Sequence, residues 1–239
     1  MERFDRVKLL IGSQKYDILK NSSVAVFGVG GVGGYVAEAL VRSGVGKITL
    51  FDNDKVAITN INRQIIATEQ TLGQDKIKAA KDRLLSINPD LIVNTENVFY
   101  LPDNADNYPF DEFDYLVDAV DTVTAKIEII KRAKEKNIPI ISCMGTGGKT
   151  DPTMLKVSDI EKTKGCPLAR VMRKELKDRG IKDVKVVYSE ESVTISNGER
   201  VEKKGKDRTA PPSMIFVPAV AGLILAREVV FDLINKEKK

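Results

Sequence analysis

Carboxylates at the ends of β-prone runs, isolated basic residues beside turns, and two cysteines are the side chains here whose type and spacing could do chemistry. Asp52 closes the run Ile48–Phe51, and Asp118 and Asp121 close the run that begins at Tyr115. An acid at the carboxyl end of a parallel strand faces the ligand crevice of an open α/β sheet. Asp121 there could hold Mg²⁺ between phosphates, or it or Thr122 could cap the helix that follows. Arg63 stands in a polar turn-rich segment, and its guanidinium fork suits phosphate oxygens. Lys76 falls in the first turn of a helical pattern, where the dipole disfavours a cation unless an anion lies nearby. The chain has no histidine, which removes His-based acid–base catalysis, Ser-His-Asp triads and His-ligated metals. Cys143 and Cys166 form no CxxC pair, so one chain cannot build a Cys₄ zinc site.

The stretch that must position these groups is Ser23–Asp54. It reads as strand (Val24–Phe27), glycine cluster (Gly28–Gly34), helix with Val36, Ala37 and Leu40, stop at Gly44/Gly46, strand, then acid, with Asp52 19 residues after Gly33. Gly28 and Gly30 permit a tight turn in which backbone N–H groups approach a phosphate, and Gly33 lets helix and strand pack closely. The helix start near Gly31–Gly33 offers unpaired N–H groups to an anion. Asp52 can accept ribose hydroxyls. This pattern marks a nucleotide site and leaves NAD and ATP undistinguished. A second glycine-rich stretch, Cys143–Lys149, follows a strand and reads as a loop bordering the site. It is no Walker loop, because position 143 is Cys.

The remaining elements follow from periodicity. Met1–Lys20 reads as one amphipathic helix or two short ones, with Phe4, Val7, Leu10 and Ile11 on one face. Gln74–Asn88 and Thr122–Lys136 read as helices, and Leu91–Val93, Tyr115–Val120, Pro139–Ser142, Met154–Val157 and Val184–Tyr188 as strands. Pro167–Asp178 reads as a basic helix with Leu168, Val171, Met172 and Leu176 inside and Arg170, Arg173, Lys174 and Lys177 outside. Ser192–Pro212, with Lys203–Arg208, reads as a mobile basic loop. The apolar run Met214–Ala226 is short for a membrane span and reads as a core or oligomer-interface helix, interrupted at Pro218. The expected fold class is α/β: a Rossmann-like, mostly parallel sheet flanked by helices, with a C-terminal α+β extension. Residues 1–150 form the nucleotide region and 151–239 the extension, as one continuous domain.

Length (239 residues), 42% hydrophobic and 30% charged content describe a soluble globular chain. The charged N-terminus reads as no signal peptide, and the sparse cysteines suit a reducing, cytoplasmic setting. The net charge of +4 is uneven: 162–208 carries 14 Lys/Arg against 8 Asp/Glu. A basic second part beside a nucleotide site points to a polyanionic substrate.

Together, Gly28–Gly34, Asp52-Asn53-Asp54, Asn60-x-Asn62-Arg63-Gln64, Gly73-Gln74-x-Lys76 and Asp118-x-x-Asp121 resemble the ThiF/MoeB/HesA (ubiquitin-activating-enzyme-like) adenylylating superfamily. The resemblance implies that Gly28, Gly30, Gly31, Gly33 and Asp52 hold ATP, that Arg63 and Lys76 contact its phosphates and that Asp121 binds Mg²⁺. It places Asp54, Asn60 and Gln64 in the same site and makes Arg6 an arginine supplied across a homodimer. Thr146–Pro152, Leu155–Ile160, Lys162-Thr163, Pro167-Leu168-Ala169, Arg3-Phe4 and Leu10-x-Gly12 resemble the tRNA threonylcarbamoyladenosine dehydratase branch. That branch uses ATP to close the threonylcarbamoyl side chain of adenosine 37 in tRNA into a ring.

The implied chemistry needs no histidine. A carboxylate is a poor electrophile until transfer of AMP makes a mixed anhydride, which an internal nitrogen can attack. Arg63, Lys76 and Mg²⁺ on Asp121 would stabilise charge on the leaving pyrophosphate. The resemblance leaves Cys166 open as a site of thioester or persulfide chemistry. The alternative function is an adenylyltransferase that activates the C-terminus of a small sulfur-carrier protein, with such a carrier or a sulfur-transfer protein as partner. An NAD-dependent oxidoreductase is disfavoured by Asn60–Gln64. No membrane association is expected.

Overall fold

The β-prone runs read from the sequence line up, strand beside strand, in one sheet. The computed structural model describes residues 2–193 and 211–236. Its strands are β1 (Ser23–Phe27), β2 (Lys47–Phe51), β3 (Ile92–Glu96), β4 (Tyr115–Asp118), β5 (Ile140–Cys143), β6 (Leu155–Asp159) and β7 (Lys185–Ser189). The sheet order is β3-β2-β1-β4-β5-β7-β6, with every neighbouring pair parallel except β6–β7. β1 and β4 are buried along their whole length, as central strands covered by helices on both faces must be. The order reverses between β1 and β4, which opens a crevice beyond their carboxyl ends.

The helices are α1 (Asp5–Ile11), α2 (Ser13–Asn21), α3 (Gly33–Arg42), α4 (Lys76–Ile87), α5 (Val123–Glu135), α6 (Pro167–Asp178) and α7 (Phe216–Ile234). One core contains Val36 and Leu40 of α3, Ile77 and Leu84 of α4, and Leu225 and Val229 of α7. The other contains Phe27, Phe51, Tyr100, Phe110 and Phe113 with Ile130 of α5 and Met172 of α6. Phe27 and Phe51 stack with centroids 4.2 Å apart directly below the glycine loop.

Pro218 does not interrupt α7, because it sits in the first turn, where no intrahelical N–H partner is lost. No helix among the described residues is long and apolar enough to cross a membrane. Gly12, at φ +86°, separates α1 from α2, so the N-terminal stripe is not one face. Leu10 is 83% exposed, while Tyr16 and Leu19 of α2 are buried. In α6, Val171 faces solvent and Ala169 takes the inner place. Arg173 is half-buried, not outside: it donates to the Thr163 carbonyl (2.7 Å) and hydroxyl. Most of the expected basic loop, residues 194–210 with Lys203–Arg208 included, lies outside the described residues.

Candidate functional site at the carboxyl edge of the sheet

The site begins where β1 ends. The Gly28 N–H donates to the Phe51 carbonyl at 2.8 Å, and the Ala119 N–H donates to the Phe27 carbonyl at 2.9 Å, so three strand ends meet at one backbone crossing. Gly28 has φ +86°, and a Cβ there would lie 2.8 Å from the Ala119 oxygen. Asp52 stands at the end of β2 beneath the loop. Its Oδ2 accepts from Val29 N–H at 2.7 Å and its Oδ1 from Asp54 N–H at 2.8 Å. Burial raises the Asp52 pKa above the usual carboxylate value, against the opposing pull of Lys76 and these two N–H groups.

The segment after Asp52 is pinned to the start of α4. Lys55 and Asp75 pair as an antiparallel bridge, Lys76 N–H donates to the Asp54 carbonyl at 2.9 Å, and Lys76 Nζ donates to Asp54 Oδ2 at 2.7 Å. The Lys76 side chain is 7% exposed, whereas Asp54 is 66% exposed. A buried ammonium held by one exposed carboxylate keeps donors that an anion in the crevice can take.

Asn60 organises the next turn. Its side chain accepts from Ala57 N–H at 3.0 Å, and its carbonyl accepts from the N–H groups of Arg63 and Gln64. That turn sets Arg63 and Gln64 against the glycine loop: a Cβ on Gly31 would touch Arg63 Cγ at 3.4 Å, and one on Gly30 would lie 3.9 Å from Gln64 Nε2. Arg63 Nη1 donates to the Thr59 carbonyl (2.8 Å) and to Asn62 Oδ1 (2.9 Å). Neither acceptor is charged, and desolvation lowers the Arg63 pKa. The Gln64 side-chain oxygen Oε1 is buried with no hydrogen-bond partner among the described residues. Asn62 Nδ2 donates to the Ser213 carbonyl at 2.8 Å, joining this turn to the lead-in of α7.

Asp121 is exposed just beyond β4, beside the crossing at Ala119. Thr122 is the residue before α5 and makes no side-chain cap there. Thr122 Oγ1 instead faces Asp121 Oδ1 at 3.4 Å. Under this turn lies a pair that the sequence did not reveal. Asp118 and Lys126 are fully buried and 2.9 Å apart. Lys126 also donates to the carbonyls of Val120 (3.2 Å) and Cys143 (2.7 Å), and Ser142 Oγ donates to Asp118 at 2.5 Å. Every ammonium proton has an acceptor, the condition under which a buried pair holds rather than strains a structure. The pair clamps the ends of β4 and β5 and the turn that carries Asp121.

The second glycine stretch does border this edge. A Cβ on Gly145 would lie 3.8 Å from Cys166 Sγ and 3.7 Å from Leu168 Cβ, so the loop after β5 abuts the start of α6. Cys143 and Cys166 are both buried free thiols. Lys149, also buried, donates to the Ser189 carbonyl at 2.9 Å, and desolvation lowers its pKa. Arg6 stands apart, exposed on α1. Thus the glycine loop, Asp52, Asp54, Asn60, Arg63, Gln64, Lys76 and Asp121 gather along the same edge. Cys166 lies beyond β5, and Arg6 is not brought to the site within the chain.

The ThiF family model matches residues 4–239. The tRNA threonylcarbamoyladenosine dehydratase of Bacillus subtilis (strain 168) is 43% identical over 243 residues, covering 98% of this chain and 96% of the relative. The crystal structure of Escherichia coli tRNA N6-threonylcarbamoyladenosine dehydratase in complex with ATP superposes with TM-score 0.89 at 31% identity, over 98% of this chain and 94% of that one. The AMP complex of the E. coli enzyme gives TM-score 0.88 at 32% identity, with the same coverage of both chains.

Proposed function

The chain belongs to the ThiF family, and from that premise we propose that it is an ATP-dependent tRNA threonylcarbamoyladenosine dehydratase. The observation that carries this reading is a near end-to-end match to the B. subtilis dehydratase, combined with a glycine loop, an acid and two cations along one sheet edge. ATP supplies an AMP group that turns the threonylcarbamoyl carboxylate into an electrophile. Asp52 accepts the ribose hydroxyls. The N–H groups of the glycine loop and the α3 start receive phosphate oxygens. Arg63 and Lys76 neutralise the departing pyrophosphate, with Asn60 fixing the turn that aims Arg63.

Asp121 would hold Mg²⁺. Among the described residues no group of three or more acidic, His or Cys side chains could enclose a metal. One carboxylate fits an ion that keeps waters and is shared with substrate phosphates. The exposure of Arg6, with Leu9 77% and Leu10 83% exposed on the same short helix, supports a homodimer in which Arg6 reaches the partner copy's site. A tRNA substrate is consistent with a cytoplasmic enzyme. The proposed chemistry assigns no step to Cys166.

The test is incubation with ATP, Mg²⁺ and unfractionated tRNA, followed by nucleoside mass analysis. Loss of one water from threonylcarbamoyladenosine is expected. An unchanged nucleoside, or ATP-dependent modification of a carrier protein's C-terminus instead, overturns the reading. Arg63→Ala and Asp121→Ala should each lower turnover by about 10²-fold or more with an unchanged far-UV CD spectrum. Near-normal turnover in either variant overturns that residue's role.

A further inference from the structure

Resting on the reading that the substrate is tRNA, we propose that the outward face of α6 and its flanks is the surface that receives the RNA phosphate backbone. The face is made of Arg170, Lys174 and Lys177, with Lys162, Lys164 and Lys182 beside it, all six exposed.

Most basic side chains of α4 and α5 pair with carboxylates, and those of this face, among the described residues, do not. On α4, Lys78 pairs with Asp82 and Arg83 with Glu38. On α5, Lys131 pairs with Glu135 and Arg132 with Glu128 and Asp106. Among the described residues, no ion pair joins Arg170, Lys174, Lys177, Lys162, Lys164 or Lys182 to a carboxylate. The Arg179–Glu175 pair sits at the far end of α6, and Arg173 is turned in to Thr163. Residues 160–182 carry eight Lys/Arg against three Asp/Glu.

Positions 170, 174 and 177 share one stripe of a helix, spaced over roughly 10 Å of axis. Like charges one turn apart weaken a helix, and among the described residues no ion pair offsets them here. A polyanion would. The stripe also starts in the right place. Leu168 and Cys166 touch the Gly145 loop beyond β5, so α6 sets out from the edge that holds the nucleotide residues and runs back along the sheet.

The chemistry of the face favours RNA over an acidic protein. Protein interfaces centre on aromatic and apolar anchors and are poor in lysine. Here the only large apolar side chain exposed in α6 is Val171. A line of cations without an anchor suits a regular row of phosphates, whose binding is driven by counterion release.

The experiment compares the full-length protein with R170E/K174E/K177E and R170Q/K174Q/K177Q variants. Affinity for unfractionated tRNA is measured by fluorescence anisotropy across a salt series, and ATP affinity is measured separately. The three positions are exposed, so both variants should fold, as far-UV CD checks. The charge-reversed variant should bind tRNA at least about 10-fold more weakly, and the slope of log K against log salt should fall by roughly 2–3, as for three lost phosphate contacts. The KM for tRNA should rise while ATP affinity stays unchanged. Equal tRNA affinity and slope in wild type and both variants overturns the assignment of this face. It is equally overturned if the substitutions abolish binding of a polyglutamate probe and leave tRNA binding intact. Failure of the wild type itself to bind tRNA overturns the dehydratase reading beneath it.

Discussion

Cys143 closes β5 with its Sγ 3.3 Å from the Met144 carbonyl, and burial pushes its pKa up to about 12. The thiolate is the reactive form, so this thiol is inert near neutrality. Iodoacetamide at pH 8 should leave Cys143 unlabelled in the folded protein and label it fully in urea, read by peptide mass. Linkage gives a second consequence. Because the folded value lies above the usual thiol value of 9.0, the stability this group contributes is intact below about pH 9 and is lost as pH climbs towards 12. At this scale the sequence was legible where a residue's type and its place after a strand sufficed to put it at the edge of the sheet, as for Asp52 beneath the glycine loop. Lys126 was illegible. It lies in α5, and only the meeting of β4 and β5 supplies the acceptors that let a lysine be buried.

Among the elements, α3 and α7 pack closely. A Cβ on Gly222 would lie 2.6 Å from the Val32 carbonyl oxygen and 2.8 Å from Tyr35 Cβ. Gly222→Ala should therefore destabilise the protein by about 1–3 kcal/mol through overpacking, even though alanine is the better helix former. A urea-denaturation midpoint equal to wild type would refute it. Helix limits were legible where caps and prolines mark them: α6 spans Pro167–Asp178 as its sequence suggests. Its inner face was not fully legible, because the Val171/Ala169 exchange depends on where α5 lies. Nor was the break at Gly12, which needs the positive φ of that residue.

Across the whole molecule, the described residues beyond 150 do not form a separate layer. β7 sits between β5 and β6, and α7 covers the face of α3 that would otherwise meet water. A fragment ending at residue 150 would expose both the β5 edge and the α3 stripe, which favours aggregation over folding. It should show no cooperative thermal transition, whereas the full chain should unfold in one step by CD and by intrinsic tyrosine fluorescence alike. A fragment that melts cooperatively would reveal an autonomous nucleotide domain. The parallel core of the sheet was legible from alternating strands and helices, since right-handed crossovers leave few topologies. The antiparallel return of β6 was not, because a five-residue strand with mixed burial carries no signal of its direction.

The crossing of Gly28 and Gly33 bears on how relatives of this chain can be sorted into working enzymes and inactive descendants. A Cβ on Gly33 would fall 1.8 Å from the Gly28 carbonyl oxygen, so the chain's own backbone demands that glycine whether or not a nucleotide ever arrives. A descendant that had lost its chemistry would still need it in order to fold. The glycine signature is thus a marker of ancestry and architecture. Arg63, whose side chain rests on two neutral acceptors at the turn, is under no such obligation, and under the role proposed for it here its replacement in a relative would be the telling sign of a retired active site.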